Sequence, residues 1–401
     1  MKKFLAIGLS VVMSLGLLAG CGGSTGGTTE GGAPSEGGKA AETGDTIKIG
    51  WIGALTGDSA VFGTAESQTL KMLVEEKNAA GGVLGKQIQL VCYDTRGDVA
   101  ESVNAVNRLI TQDKVCAILG PNASDQAIAI AGVLEKNHVP EIATVATNPK
   151  CTVGDDGKVK PYNFRVCFID PYVGGVAAKY AVEKLGKKKV AVLYDVASDY
   201  SQGITQYFLE TLEKVGGELV AKEGFKAGDV DFRPQLTKIK ESGAELIFMP
   251  YFYKEVALSA NQARELGITA TFMGGDAWQS AELFNMAKDA VQGAYVINHL
   301  DFNDPALKPL IDKYTAKYPG NKPELNTFLG NDAFGLLMAA IEKAGSADSQ
   351  AITDALTQVE YAGVTGNIKI DPETHNPLDK EAVMTKIDGE QYTFVERYST
   401  K

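Results

Sequence analysis

The sequence predicts an α/β protein made of two doubly wound parallel-sheet lobes. Three observations point there. From Thr46 onward, short β-rich runs alternate with helical patterns, a rhythm that means parallel sheets covered on both faces. The alternation starts again in a second series near Asp170. The roughly 355 residues that follow a polar N-terminal stretch also exceed what one hydrophobic core serves.

In the first series, strands are predicted over 47–52, 88–93, 115–119 and 141–144, with helices over 65–78, 100–111 and 125–136 between them. Gly81-Gly82 closes the first helix, and Asp98 with Glu101 has capping-box spacing ahead of the second. In the second series, strands over 190–194, 218–223 and 246–250 alternate with helices over 204–215, 232–241 and 256–266.

Ahead of this lies a leader. Lys2 and Lys3 precede an apolar run over 4–18, short for a bilayer span of ~20 residues and right for a signal peptide. Leu18-Ala19-Gly20-Cys21 resembles the bacterial lipobox, so residues 1–20 are expected to be removed and Cys21 acylated. Residues 22–45 are almost all Gly, Ser, Thr, Ala and Glu, with one Pro, one Lys and one Asp, a composition expected to form a disordered tether with a reach of roughly 25–30 Å. The expected state is a globule anchored to a membrane by lipid, not embedded in it.

Net charge is −11 at pH 7, which argues against nucleic acid as a partner. Neither G-x-G-x-x-G nor G-x-S-x-G follows a predicted strand, the one Gly22-Gly23-Ser24-Thr25-Gly26 match lying in the polar stretch after Cys21, and H-E-x-x-H and C-x-x-C are absent. Gly81 to Lys86 has the wrong spacing for a phosphate loop and lacks Ser or Thr after the Lys. His138, His299 and His375 stand apart in sequence and read as surface or packing residues. No catalysis, cofactor or metal is expected.

In open parallel sheets, ligands sit beyond the carboxyl ends of the strands. Those ends carry Ala54 to Gly57, Gly120 to Ser124 and Val145 to Asn148 in the first series. In the second they carry Asp195 to Tyr200, Tyr251-Phe252-Tyr253 and Gly274 to Trp278. Polar and aromatic residues crowd all six, which is a binding-cleft pattern. Ser124 reads as a helix N-cap, where free N–H groups and the helix dipole favour an anion.

With these ends in place, the chain resembles the leucine/isoleucine/valine-binding proteins, the type I periplasmic binding proteins. Residues 49–57, 120–149 and 165–170 carry the resemblance, with Asp199-Tyr200-Ser201-Gln202-Gly203, 262–267 and 272–276, in family order and spacing. The resemblance implies two lobes joined by three strands: lobe one over 46–168 plus 299–382, lobe two over 170–297 plus 384–401. Crossings are then expected near Ile169, Asn298 and Val383. It further implies that Ser124 and Thr147 hold a ligand α-carboxylate, and that the carbonyl of Val145 or Ala146 accepts from its ammonium. Asp276 pairs with the ammonium from lobe two, and Tyr200 reaches across the cleft. Phe62 flanks the side-chain pocket, one of Tyr251, Phe252 and Tyr253 faces the ligand, and Trp278 is a further candidate wall. Closure over the amino acid would present the protein to the permease subunits of an ABC transporter.

Family strand order puts Cys92 and Cys116 two strands apart, ~9–10 Å, beyond the ~7 Å limit for a disulfide. A Cys151–Cys167 bridge stays open as an alternative. Other readings are a same-fold receptor for another amino acid, an amide, a short peptide or an aromatic acid; a sensor ectodomain; and an extracytoplasmic enzyme, for which no nucleophile–base set is visible.

Overall fold

The computed structural model describes residues 46–398. The signal peptide, Cys21 and the tether lie outside the described residues. In chain order the elements are β1 Ile47–Gly53, α1 Ala60–Ala79, β2 Ile88–Asp94, α2 Val99–Arg108, β3 Ala117–Leu119, α3 Ser124–Asn137, β4 Glu141–Ala143 and β5 Asn163–Arg165. Next come α4 Asp170–Lys179, β6 Lys189–Asp195, α5 Asp199–Lys214, β7 Glu218–Phe225, α6 Arg233–Glu241, β8 Leu246–Phe248, α7 Tyr253–Glu265, β9 Thr271–Gly274, α8 Ala281–Ala287 and β10 Tyr295–Asn298. The chain finishes with α9 Lys308–Lys317, α10 Leu325–Ala344, α11 Ser349–Leu356, β11 Glu360–Gly363, β12 Gly366–Lys369, β13 Ala382–Asp388 and β14 Gln391–Tyr398.

Two large sheets result. The first has strand order β2-β1-β3-β4-β5 and is parallel throughout. The second runs β14-β13-β10-β9-β8-β6-β7, parallel from β10 to β7, with β13 and β14 added antiparallel. The central strands are apolar along their length because both faces are covered. On β1, every residue but Lys48 is buried. Ile49, Trp51 and Leu119 pack against Phe328, Leu336 and Ile341 of α10. On the opposite face, Ile52 and Ile118 meet Val106, Ile130 and Leu134 of α2 and α3. The second sheet is sandwiched likewise, between α6 to α8 on one face and α4 and α5 on the other. The chain passes between the sheets three times: after β5, after β10, and before β13.

Three local expectations need correction. Helix α1 begins at Ala60, not near Ala65, although Ser59 makes no side-chain capping bond. Its first turn is held by packing, since Phe62 sits edge-on to Tyr253 at 5.6 Å. Ser124 is the first residue inside α3, whose cap is Ala123. The capping box at α2 is half made: Asp98 accepts from the Glu101 N–H, while the Glu101 side chain pairs with Arg96. Cys92, Cys116, Cys151 and Cys167 are all free thiols, so the alternative left open for Cys151 and Cys167 is not realised. Burial pushes both thiols up to about 12.

Close approach fixes how α1 meets the end of β1. A Cβ on Gly63 would stand 1.9 Å from the Ala54 carbonyl oxygen. Gly63→Ala is expected to lower stability by about 1–3 kcal/mol, read as a lower urea midpoint; an unchanged midpoint would mean this contact yields freely.

Candidate functional site

Where the carboxyl ends of the two sheets face each other lies a small cavity. From the first lobe it is lined by Phe62 of α1, Asn122 and Ala123 after β3, Ser124 at the start of α3, Val145 after β4, and Leu325 and Asn326 of α10. The second lobe adds Tyr200 on α5, Phe252 before α7, and Asp276 and Ala277 after β9. The structure thus brings Phe62, Ser124, Tyr200, Phe252 and Asp276 to one slot.

Each half has its own chemistry. On the first lobe, the N-terminus of the 14-residue helix α3 opens at Ser124, and its leading N–H groups and dipole favour negative charge. Ser124 Oγ accepts from the Asn148 N–H at 3.2 Å. Thr147, just before Asn148 in the chain, is buried with its hydroxyl beside the Asp170 carboxyl.

On the second lobe, Asp276 is 2% exposed. Its Oδ1 accepts from the Tyr200 hydroxyl at 3.1 Å and the Ala277 N–H at 3.1 Å, and its Oδ2 meets His299 Nε2 at 3.0 Å. Burial holds His299 below its ordinary pKa, against the pull of Asp276, so the imidazole is neutral at pH 7. All three partners of this carboxylate are therefore neutral. The ring of His299 stacks on Phe168 at 3.4 Å between centroids, which fixes its orientation. Behind Ser124 and Thr147, burial pushes the Asp170 carboxyl up to about 8.

Four expected site residues stand elsewhere. Trp278 is fully buried in the second lobe's core, its Nε1 donating to the Met249 carbonyl at 2.8 Å. The indole fills the space a Gly274 side chain would take, so it backs the site and does not wall it. Tyr251 turns away from the slot, its hydroxyl on Ser259 and its ring edge-on to Phe225. Of the three consecutive aromatics, Phe252 is the one facing the slot, while Tyr253 supports Phe62 and donates to the Asp58 carbonyl. Ala146 is buried and its carbonyl accepts from Arg165 Nη1 at 2.7 Å, leaving Val145 as the wall residue at that strand end. Thr147 is not part of the wall.

Asn122, Leu325, Asn326 and His299 were not anticipated. Asn122 lay within a strand end already singled out; Leu325 and Asn326 open a helix far along the chain with no local signal. His299 contradicts the reading of the histidines as lone packing residues. No cluster of His, Cys, Asp and Glu among the described residues could hold a metal ion, and no described helix is long and apolar enough to cross a membrane.

Aromatic orientation can be checked directly. Phe252→Ala is expected to weaken ligand binding roughly tenfold through lost apolar contact, and Tyr251→Phe to leave it unchanged, by calorimetry. Equal effects would refute this assignment of faces.

Comparison with known proteins agrees with this architecture. A family model described as periplasmic binding protein matches residues 46–391. A leucine-, isoleucine-, valine-, threonine- and alanine-binding protein of Pseudomonas aeruginosa is 32% identical over 330 residues, covering 82% of this chain and 86% of that protein. Among solved structures, a leucine-binding protein from Thermotoga maritima superposes with TM-score 0.81 at 34% identity, covering 88% of this chain and 98% of that one. A branched-chain amino acid transporter substrate-binding protein from Streptococcus pneumoniae, solved with isoleucine, gives 0.81 at 34% identity over 89% of this chain and 100% of its own. The family is one of binding proteins, not enzymes. With its two lobes, its three crossings and a slot between them, the chain belongs to the periplasmic binding protein family.

Proposed function

We propose that this protein captures an amino acid, of the leucine, isoleucine and valine class, between its lobes outside the cytoplasm and delivers it to the permease of an ABC importer. Cys21 serves as the lipid-bearing residue that holds it to the membrane. Lobe one comprises 46–168 plus 299–382, and lobe two 170–297 plus 384–401. The observation that carries the reading is the buried Asp276 carboxylate, which has three neutral partners and faces the slot. A buried charge needs a counter-charge, and a ligand ammonium supplies it. Across the slot, the α3 N-terminus with Ser124 offers neutral donors to an α-carboxylate. Phe62, Val145, Phe252 and Leu325 give the remaining wall an apolar character suited to an aliphatic side chain. The names of the similar proteins, which bind leucine, isoleucine and valine, point the same way.

Contacts from the second lobe exist only when the lobes meet, so ligand favours closure by its differential affinity for that state. A thermal-shift screen of the twenty amino acids should single out aliphatic ones, with about 2.7 kcal/mol of stabilisation at a hundred times Kd. Asp276→Ala is expected to weaken binding on the order of a hundredfold or more while the unliganded melting temperature stays near wild type. Unchanged affinity would remove the ammonium partner and with it this reading.

A further inference from the structure

Glu66 is a buried carboxylate behind the slot, and two of its hydrogen-bond partners line the slot. It lies on the inward face of α1, 1% exposed. Four donors converge on it: Trp51 Nε1 on Oε1 at 3.1 Å, and on Oε2 the Thr144 hydroxyl at 3.1 Å, Asn326 Nδ2 at 2.9 Å and Asn122 Nδ2 at 3.5 Å. They come from β1, from the turns after β3 and β4, and from α10, so Glu66 ties the first lobe's main elements together beneath the slot. Two of them, Asn122 and Asn326, line the slot itself. An amide that gives its nitrogen to Glu66 turns its oxygen away, so the carboxylate decides which end of each amide the ligand meets.

We propose that Glu66 is the positioning residue of the first-lobe wall, holding Asn122 and Asn326 in the orientation that binds ligand, without touching the ligand itself. The inference rests on the amino-acid reading above for its affinity test, and on geometry alone for its spectroscopic one.

The arrangement is made for an ionised acid: both oxygens accept, and every partner donates. A protonated Glu66 needs an acceptor. The Trp51 indole cannot serve, so a Thr144 or Asn side chain must turn, and the amides are released from their orientation. Burial raises this carboxyl to about 7, so both forms are populated near neutral pH. The sign follows: above that value the ionised form holds the amides, and affinity is lost as pH falls through it. The groups facing Glu66 from β1, the β3 and β4 turns and α10 are neutral. The titratable groups across the slot are Asp276, Tyr200 and His299. Burial places His299 below and Tyr200 well above their ordinary values. Glu141, Asp170 and Glu324, raised to about 8, bond to neither Glu66 nor its partners, and are common to wild type and variant.

The test compares wild type with Glu66→Gln between pH 6.5 and 8.5. With L-leucine as probe, wild-type affinity should fall toward pH 6.5, while the variant should be roughly tenfold weaker at pH 8.5 and lack the part of that fall that the wild type shows in excess of it. In the ligand-free protein, the Trp51 indole N–H and the Asn122 and Asn326 side-chain amide resonances should move together with pH, and the Trp278 indole should stay fixed. In Glu66→Gln that joint movement through about 7 should be absent. A variant with wild-type affinity and pH profile, or amides that do not titrate in the wild type, would overturn the proposal. Failure of leucine to bind at all, with the resonances titrating as described, would count against the amino-acid reading and not against the role of Glu66.

Discussion

A negative charge held out of water by neutral neighbours is the constraint around which the slot is organised. Asp276 is anchored by a tyrosine hydroxyl, a backbone N–H and a neutral imidazole. Hydrogen bonds of this kind orient a carboxylate and soften its desolvation, yet they leave its charge in place. The first lobe answers with opposite polarity, a helix N-terminus that carries no formal charge. A zwitterion laid across the slot satisfies both sides at once, whereas a neutral or singly charged ligand satisfies one. The remainder of the site serves to keep these two poles apart and facing each other.

Closure is also supported by contacts that do not involve ligand. Asp125 on α3 accepts from the Asp199 N–H and the Ser198 hydroxyl at the start of α5. Asn148 donates to the Asp199 carbonyl at 2.7 Å, and Asp58 pairs with Lys254 at 2.6 Å. An exposed pair such as the last contributes little, and the burial that raises the Asp125 pKa shows what its contact costs. Such contacts favour the closed arrangement without ligand, and a ligand adds its own differential affinity for that state.

Much of the fold was legible because parallel strands covered on both faces leave continuous apolar runs, as in β1, and because the polar strand ends stand out against them. Ser124, Tyr200, Phe252 and Asp276 stand at those ends, where the family resemblance singled them out, and Phe62, inside α1, was readable from the resemblance alone. What escaped depends on long-range placement or on one backbone torsion. Leu325 and Asn326 reach the slot from a helix some two hundred residues downstream of Ser124. Three successive aromatics cannot be sorted by eye, since the outcome turns on the extended backbone of Phe252 just before α7. The glycines at 274 and 275 make room for the Trp278 indole and the Tyr200 hydroxyl. His299 had no companion in sequence because its partner lies on a neighbouring strand end. The start of α1 was missed because no cap marks it and packing from the other lobe defines it.

The most direct measurement is a crystal structure of the protein with bound L-leucine. The account predicts the ammonium within hydrogen-bonding distance of Asp276, the carboxylate at Ser124 and the α3 N-terminus, and the side chain among Phe62, Val145, Phe252 and Leu325. A ligand bound outside this slot, or one lying in it with the amine turned away from Asp276, would contradict it.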